Sequence, residues 1–225
     1  MLVVLAHPRD EQARGLVERW AAEDARLLSM RDLSSPGWQH RVGGSGAEVA
    51  VVGGERVHVS ALRGVVTRLP GFIDTDLVHI APEDQGYVAA EMNAFLASWL
   101  SRLPCPVLNR PTASSLMGPS LGLERWLALA ARCGLPLAAA RREVGVSDRP
   151  PSRVAAVTVV GQRWLGEVEP AVGAQAVRLA AAAGVELLTA RFEGPAFVSA
   201  ELSIEVGEPR VAEALLERLG SRARA

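Results

Sequence analysis

Leu2-Val-Val-Leu-Ala-His-Pro-Arg-Asp-Glu11 opens the chain and sets the fold class of its first half. Leu2 to Ala6 is an unbroken apolar run, the pattern of a strand buried on both faces of a parallel sheet. His7-Pro8 ends the run. Asp10 then reads as the N-cap of a helix reaching about Glu23, with Ala13, Leu16, Val17 and Trp20 on one face. Ala25 to Leu28 is a short second strand. A β-α-β opening predicts a parallel sheet and an α/β class for the first half.

Beyond this opening, Ser34 to Gly46 is rich in Gly, Ser and Pro and reads as a loop. Val49 to Val59 alternates on both sides of Gly53-Gly54, which predicts a hairpin. Gly64 to Arg68 is a further strand, closed by Pro70, and Gly71 to Pro82 is a loop. A long helix is predicted from about Glu83 to Leu103, with Tyr87, Ala90, Ala94, Phe95, Trp99 and Leu103 near helical spacing. Pro104 and Pro106 stop it, and Val107-Leu108 is a short strand leading into Asn109-Arg110-Pro111. A helix from Leu123 to Arg132 ends at Gly134, a suitable C′ residue. Asp148 to Ser152 reads as a turn. After it the pattern is β-β-α-β-β-α: strands at 154–160 and 163–168, an alanine-rich helix at 171–183, a hairpin around Glu193-Gly194-Pro195, and a final helix from Pro209. The expected segments are an α/β domain over 1–111, a helix and linker over 112–153, and a small α+β domain over 154–225.

Composition narrows the function classes. The chain has 225 residues, 49% of them hydrophobic, enough for a sizeable core. Its 24 basic and 25 acidic residues nearly cancel, which argues against nucleic acid as a main partner. Every basic residue is arginine, so neither a Schiff-base lysine nor a P-loop lysine exists. Cys105 and Cys133 make no disulfide framework. His7, His40, His58 and His79 show no metal-ligand spacing, so no metal site is expected. Neither a secretory signal nor an apolar run long enough to span a membrane is visible, and a cytoplasmic protein is expected.

The order of elements and several strings resemble the ATP-grasp superfamily, especially ligases of the ribosomal-protein glutamate-ligase type and their relatives in modified-peptide biosynthesis. Gly64-Val-Val-Thr-Arg-Leu-Pro70 looks like the family's strand and Arg-containing turn. Glu91-Met-Asn-Ala-Phe-Leu-Ala-Ser-Trp-Leu100 with Pro106-Val-Leu-Asn-Arg-Pro111 looks like its long helix and Asn-x-Pro segment, and Ala130-Ala-Arg-Cys-Gly-Leu-Pro136 like the helix end that follows. Val157-Thr-Val-Val-Gly-Gln-Arg-Trp-Leu-Gly-Glu167 resembles the hairpin after the glycine-rich lid. Ala180-Ala-Ala-Ala-Gly-Val-Glu-Leu-Leu188 and Phe197-Val-Ser-Ala-Glu201 resemble the helix and terminal strands that carry metal ligands. The resemblance implies an N-terminal parallel-sheet pre-ATP-grasp-like domain and a small α+β remnant of the ATP-grasp domain.

The departures from that family set the functional expectation. Gly122-Leu-Glu-Arg-Trp126 lacks the helix lysine, and only about a dozen residues lie between Arg142 and Val154, where the lid belongs. Ser199-Ala-Glu201 stands where Glu-x-Asn is usual, and Thr189-Ala-Arg-Phe-Glu193 lacks an aspartate. The expectation is a truncated protein without cofactor, acting as a binding or accessory protein in a biosynthetic pathway such as peptide modification. The alternative is an active carboxylate–amine ligase using ATP and Mg, or an acid/base enzyme using His7 and Asp10.

His7 sits where open α/β sheets bind ligands and is the candidate general acid/base, with Asp10 as its orienting partner; the plainer reading makes Asp10 only a cap. The resemblance makes this rim face the substrate, so Arg9 and Arg68 would clamp a carboxylate, with Asn109 and Arg110 beside them. Glu193, Glu201 and Glu205 are carboxylates by type for Mg²⁺, or solvated groups on an outer strand face. The expected partners are a small-molecule or peptide substrate, a neighbouring biosynthetic enzyme and a second copy of the chain, the last covering apolar faces that a lost nucleotide layer would bare.

Overall fold

A computed structural model describes residues 1–42, 48–78, 80–138 and 154–221. The chain forms two compact units, Met1–Ser120 with Val206–Ala225, and Leu121–Glu205. The sequence suggests breaks after 111 and after 153. The final helix instead joins the first unit, because its apolar side lies on that unit's sheet.

In chain order the first unit runs β1 (Leu2–Leu5), α1 (Glu11–Arg19), β2 (Ala25–Leu28), α2 (Met30–Leu33), β3 (Val49–Val52), β4 (Glu55–His58), β5 (Gly64–Thr67), α3 (Pro82–Arg102) and β6 (Val107–Leu108). Strand order is β2-β1-β5-β6, all parallel. All four residues of β1 are buried, as an apolar run between two neighbours requires. Arg19 ends α1 one turn earlier than expected. A single 3-10 turn over Ala21–Glu23 replaces it, and Asp24 adopts a left-handed conformation at φ 51°.

Helix α2 occupies a stretch whose helical character is not apparent from the sequence. Its capping box explains it: the Asp32 carboxylate accepts from Ser29 N at 2.8 Å. The same buried carboxylate accepts from Gly54 N at 2.7 Å and so pins the turn of the β3–β4 hairpin. A long-range donor of that kind leaves no mark in local sequence. On α3, Trp99 is buried and Phe95 half-buried; Trp38 makes a T-shaped contact with each, at ring centroids 5.3 and 5.2 Å away. Only the C-terminal part of the stripe read from the sequence, Phe95, Trp99 and Leu103, belongs to the core; Tyr87, Ala90 and Ala94 are exposed.

The second unit contains α4 (Leu123–Arg132), β7 (Val154–Val160), β8 (Arg163–Leu165), α5 (Pro170–Ala183), β9 (Leu187–Glu193) and β10 (Ala196–Glu201). Its sheet is antiparallel, ordered β10-β9-β7-β8. One face carries Val157, Val159, Leu188, Ala190, Phe192 and Phe197, which form a core with Trp126 of α4 and Leu179 of α5. The expected turn at Asp148–Ser152, the segment from Arg142 to Val154 and His79 lie outside the described residues, apart from Val154 itself. Helix α6 (Pro209–Ser221) then packs on β5. Among the described residues no helix is long and apolar enough to cross a membrane.

Two glycines fix how closely helices approach the sheets. A Cβ on Gly64 would stand 2.6 Å from Leu219 Cδ2, and a Cβ on Gly173 would overlap the Trp164 ring. Leucine can swing a methyl aside; an indole cannot. Gly173→Ala is therefore expected to lower stability by about 1–3 kcal/mol, the cost of overpacking, and Gly64→Ala by less. Urea unfolding monitored by tryptophan fluorescence measures both, and an equal or reversed order would contradict this packing.

Candidate functional site

Because β1, β5 and β6 run parallel, their carboxyl ends share one rim, and the sequence-predicted residues can be placed along it. His7 follows β1. Its Nδ1 accepts from Arg9 N at 3.0 Å, so the neutral ring carries its proton on Nε2. Nε2 faces Asp76 Oδ1 at 4.0 Å. The Asp76 carboxylate also accepts from Ile73 N at 3.1 Å, which holds it in place. The group opposite His7 is thus Asp76, not Asp10. The sequence could not show this, since Asp76 lies in a loop 69 positions away.

Asp10 does something else. Its Oδ1 accepts from Ala13 N at 3.0 Å and caps α1, while its Oδ2 accepts from Arg68 Nε at 2.9 Å. Arg68 also donates to Gln12 at 3.3 Å. Both partners are largely covered, with side-chain exposures of 11% for Arg68 and 20% for Asp10, so this is a structural ion pair at the rim. Burial alone would raise the Asp10 pKa. The hydrogen bonds from Arg68 and Ala13 outweigh it and hold the carboxyl below its ordinary value.

Arg9 is exposed beside His7. Asn109 is buried after β6, and its carbonyl accepts from the Thr67 hydroxyl at 3.4 Å. Arg110 turns away and donates to Ser101 O at the end of α3, 3.1 Å. The structure therefore brings together His7 and Arg9 and, along the same rim, Arg68 with Asp10; it places Arg110 elsewhere. A cleft of about 550 Å³ opens at His7 and Arg9, and Arg31, Ser34, Thr75 and Asp76 complete much of its lining. Arg31 and Asp76 escape a reading of the sequence because each sits in a stretch that looks like loop or loop flank. Cys105, by contrast, is buried, and burial raises its thiol pKa, which disfavours the reactive thiolate.

The second unit carries a polar surface of its own. Register places Thr158, Thr189, Arg191, Ser199 and Glu201 on the sheet face opposite the helices. Arg191 Nη1 meets Glu201 Oε1 at 2.5 Å, with both side chains about two-fifths exposed. Thr189 Oγ1 donates to Ser203 O at 2.9 Å. Glu193 and Glu205 are exposed. Among the described residues no three His, Cys, Asp or Glu side chains cluster as a metal cage.

No family model matches the chain, and no curated protein sequence matches it. Solved structures do. The macrocyclase MdnC bound with precursor peptide MdnA, from Microcystis aeruginosa MRC, aligns with a TM-score of 0.66 at 12% identity, covering 99% of this chain and 100% of that one. The ATP-grasp ligase PsnB complexed with minimal precursor, Mg and ADP aligns at 0.66 and 15%, covering 97% and 98%. A Chryseobacterium gregarium RiPP-associated ATP-grasp ligase in complex with ADP, and a leader and core peptide, aligns at 0.63 and 10%, covering 98% and 96%. The chain has the ATP-grasp-like fold.

These structures overturn the expectation of no cofactor: of the proteins of this fold, one is complexed with Mg and ADP and another with ADP. Absent lysines, a short segment between Arg142 and Val154 and an atypical carboxylate set are too narrow a ground; for the lysines the reason is that arginine contacts phosphate in a bidentate fashion. The residues here fit such a group in kind. Mg²⁺ bound to a polyphosphate needs only one or two protein carboxylates. The polar face of the second sheet offers Glu201 for the metal and Arg191 for phosphate oxygens.

The Asp10 pair yields a pH prediction. A folded-state pKa below the unfolded one contributes stability above the unfolded value, and that contribution is lost as pH falls through the folded value. Asp10→Asn keeps the cap acceptor but removes the charge facing Arg68. The variant is expected to be less stable than the parent by about 1 kcal/mol at neutral pH, with the difference vanishing in acid below the ordinary aspartate range. Denaturant midpoints across pH check this; a difference that persists in acid would assign the loss to packing.

Proposed function

We propose that this chain binds a precursor peptide in a peptide-modification pathway and that a magnesium-bound nucleotide is its second ligand. The observation that carries the reading is likeness over at least 97% of the chain to proteins crystallised with precursor peptides, two of them also with ADP. In this reading the peptide lies along the rim of the first sheet. His7 presents its Nε2 proton to a peptide carbonyl or carboxylate, Arg9 supplies an exposed cation, and the Arg68–Asp10 pair fixes the rim's shape. Arg191 would contact phosphate oxygens and Glu201 the metal. Bound there, a nucleotide supplies the phosphoryl group that activates a carboxylate.

The missing lysines and the Ser199-Ala-Glu201 string support a binding or accessory role beside a partner enzyme. Carboxylate–amine ligation is the second reading, favoured by one observation: Arg191 and Glu201 already sit on a single polar face as a cation and a carboxylate.

Calorimetry with a precursor peptide encoded near this gene, and separately with ADP and Mg²⁺, tests the proposal. Both are expected to bind. Arg191→Ala is expected to weaken the nucleotide about tenfold, as loss of a charge-assisted contact does, and to leave the peptide unaffected. ADP release from ATP that depends on the peptide would establish ligation; binding without release would establish the accessory role. Binding of neither ligand would overturn the reading.

A further inference from the structure

Some arginines of the first unit are paired with carboxylates and others, Arg19 among them, are not among the described residues; what sets Arg9 and Arg31 apart is the cleft they share. Arg14, Arg26, Arg63 and Arg68 each lie within 4.0 Å of a carboxylate: Glu11, Asp24 and Glu55, Glu23, and Asp10. Arg9 and Arg31 have no carboxylate partner among the described residues, and both are exposed. They come from different segments, the loop after β1 and helix α2 after β2, yet both line the same cleft of about 550 Å³. Parallel pairing of β1 with β2 brings them there, because it aligns Leu5 with Leu28 and so ends both strands at one edge.

The rest of the lining agrees. Nδ1 of His7 is occupied by the Arg9 amide, so the neutral ring offers the cleft a donor and no acceptor. Ser34 and Thr75 add hydroxyls. Asp76 is the one carboxylate of the lining, and it is already engaged by Ile73 N and faces His7. Two guanidinium groups against one committed carboxylate leave the cleft with net positive charge.

We propose that this cleft is a binding site for a small oxyanion, a phosphate ester or a carboxylate, gripped between Arg9 and Arg31. A guanidinium presents paired N–H donors that match two oxygens of such a group, and two guanidinium groups from separate segments fix its orientation. The inference stands on the first unit alone and does not require that a nucleotide or a precursor peptide bind.

The probes are inorganic phosphate and succinate, titrated into the full chain by calorimetry at low ionic strength. At least one is expected to bind saturably, with affinity reduced at least tenfold in the Arg9→Met/Arg31→Met double variant. Saturable binding of phosphate alone assigns a phosphate group, and of succinate alone a carboxylate. Both side chains are exposed, so the double variant is expected to keep the parent melting temperature without ligand. Arg19→Met, at an exposed position on α1 outside the cleft, is expected to change nothing. Failure of both probes to bind, or binding that survives in the double variant, overturns the proposal. Neither result touches the peptide and nucleotide measurements, so the two readings fail separately.

Discussion

The first unit depends on one constraint: β1 is buried on both sides by parallel neighbours. A parallel pair cannot be closed by a tight turn, so every connection must cross back along the sheet before the next strand begins. All four strands consequently end at the same edge. His7, Arg68 and Asn109 follow β1, β5 and β6 at that edge, and α2 with Arg31 follows β2. The clustering of polar groups on one rim is thus a consequence of topology. The hydrophobic core that forces β1 inside also determines where chemistry can occur.

What the sequence made legible is what local physics dictates. The apolar run of β1, the Asp10 cap, the glycine turn of the β3–β4 hairpin and the proline stop of α3 each depend on neighbours a few positions away, and each is present. Helix α2 is only four residues long, and although its capping box Ser29–Asp32 is local, the second role of Asp32, accepting from Gly54 22 positions on, is not. The His7–Asp10 pairing failed for a related reason. Adjacent residues in a turn point where the backbone sends them, and here Asp10 is drawn to Arg68, 58 positions away, while His7 faces Asp76. The resemblance in strings such as Gly64–Pro70 anticipated the fold, yet it could not assign individual contacts.

Arginine as the only basic residue changes how charge is distributed. A guanidinium stays protonated at any pH the fold survives, so a pair such as Arg68–Asp10 can be weakened only from the acid side. The same permanence means that an unmatched arginine cannot neutralise itself as a buried lysine can; it stays in water or finds an anion. Arg9 and Arg31 stay in water at the mouth of a cleft. Other exposed arginines, Arg19 among them, are also unmatched among the described residues; Arg9 and Arg31 differ in sharing one cleft, in a chain with net charge −1.

The two polar surfaces differ in a way that bears on what each can bind. On the second sheet, Arg191 and Glu201 satisfy one another, so a ligand there must separate a cation from a carboxylate before using either. A magnesium-bound polyphosphate is suited to that exchange, because it brings a cation for Glu201 and anionic oxygens for Arg191 at once; a simple anion would compensate only one of them and leave the other unpaired. The cleft at β1 and β2 presents the opposite condition. Its two arginines have no internal partner to surrender, so an oxyanion binds without breaking an existing pair. Selectivity between the surfaces then follows from whether the resident charges are already matched, a property set by the antiparallel register of one sheet and by the shared carboxyl edge of parallel β1 and β2 in the other.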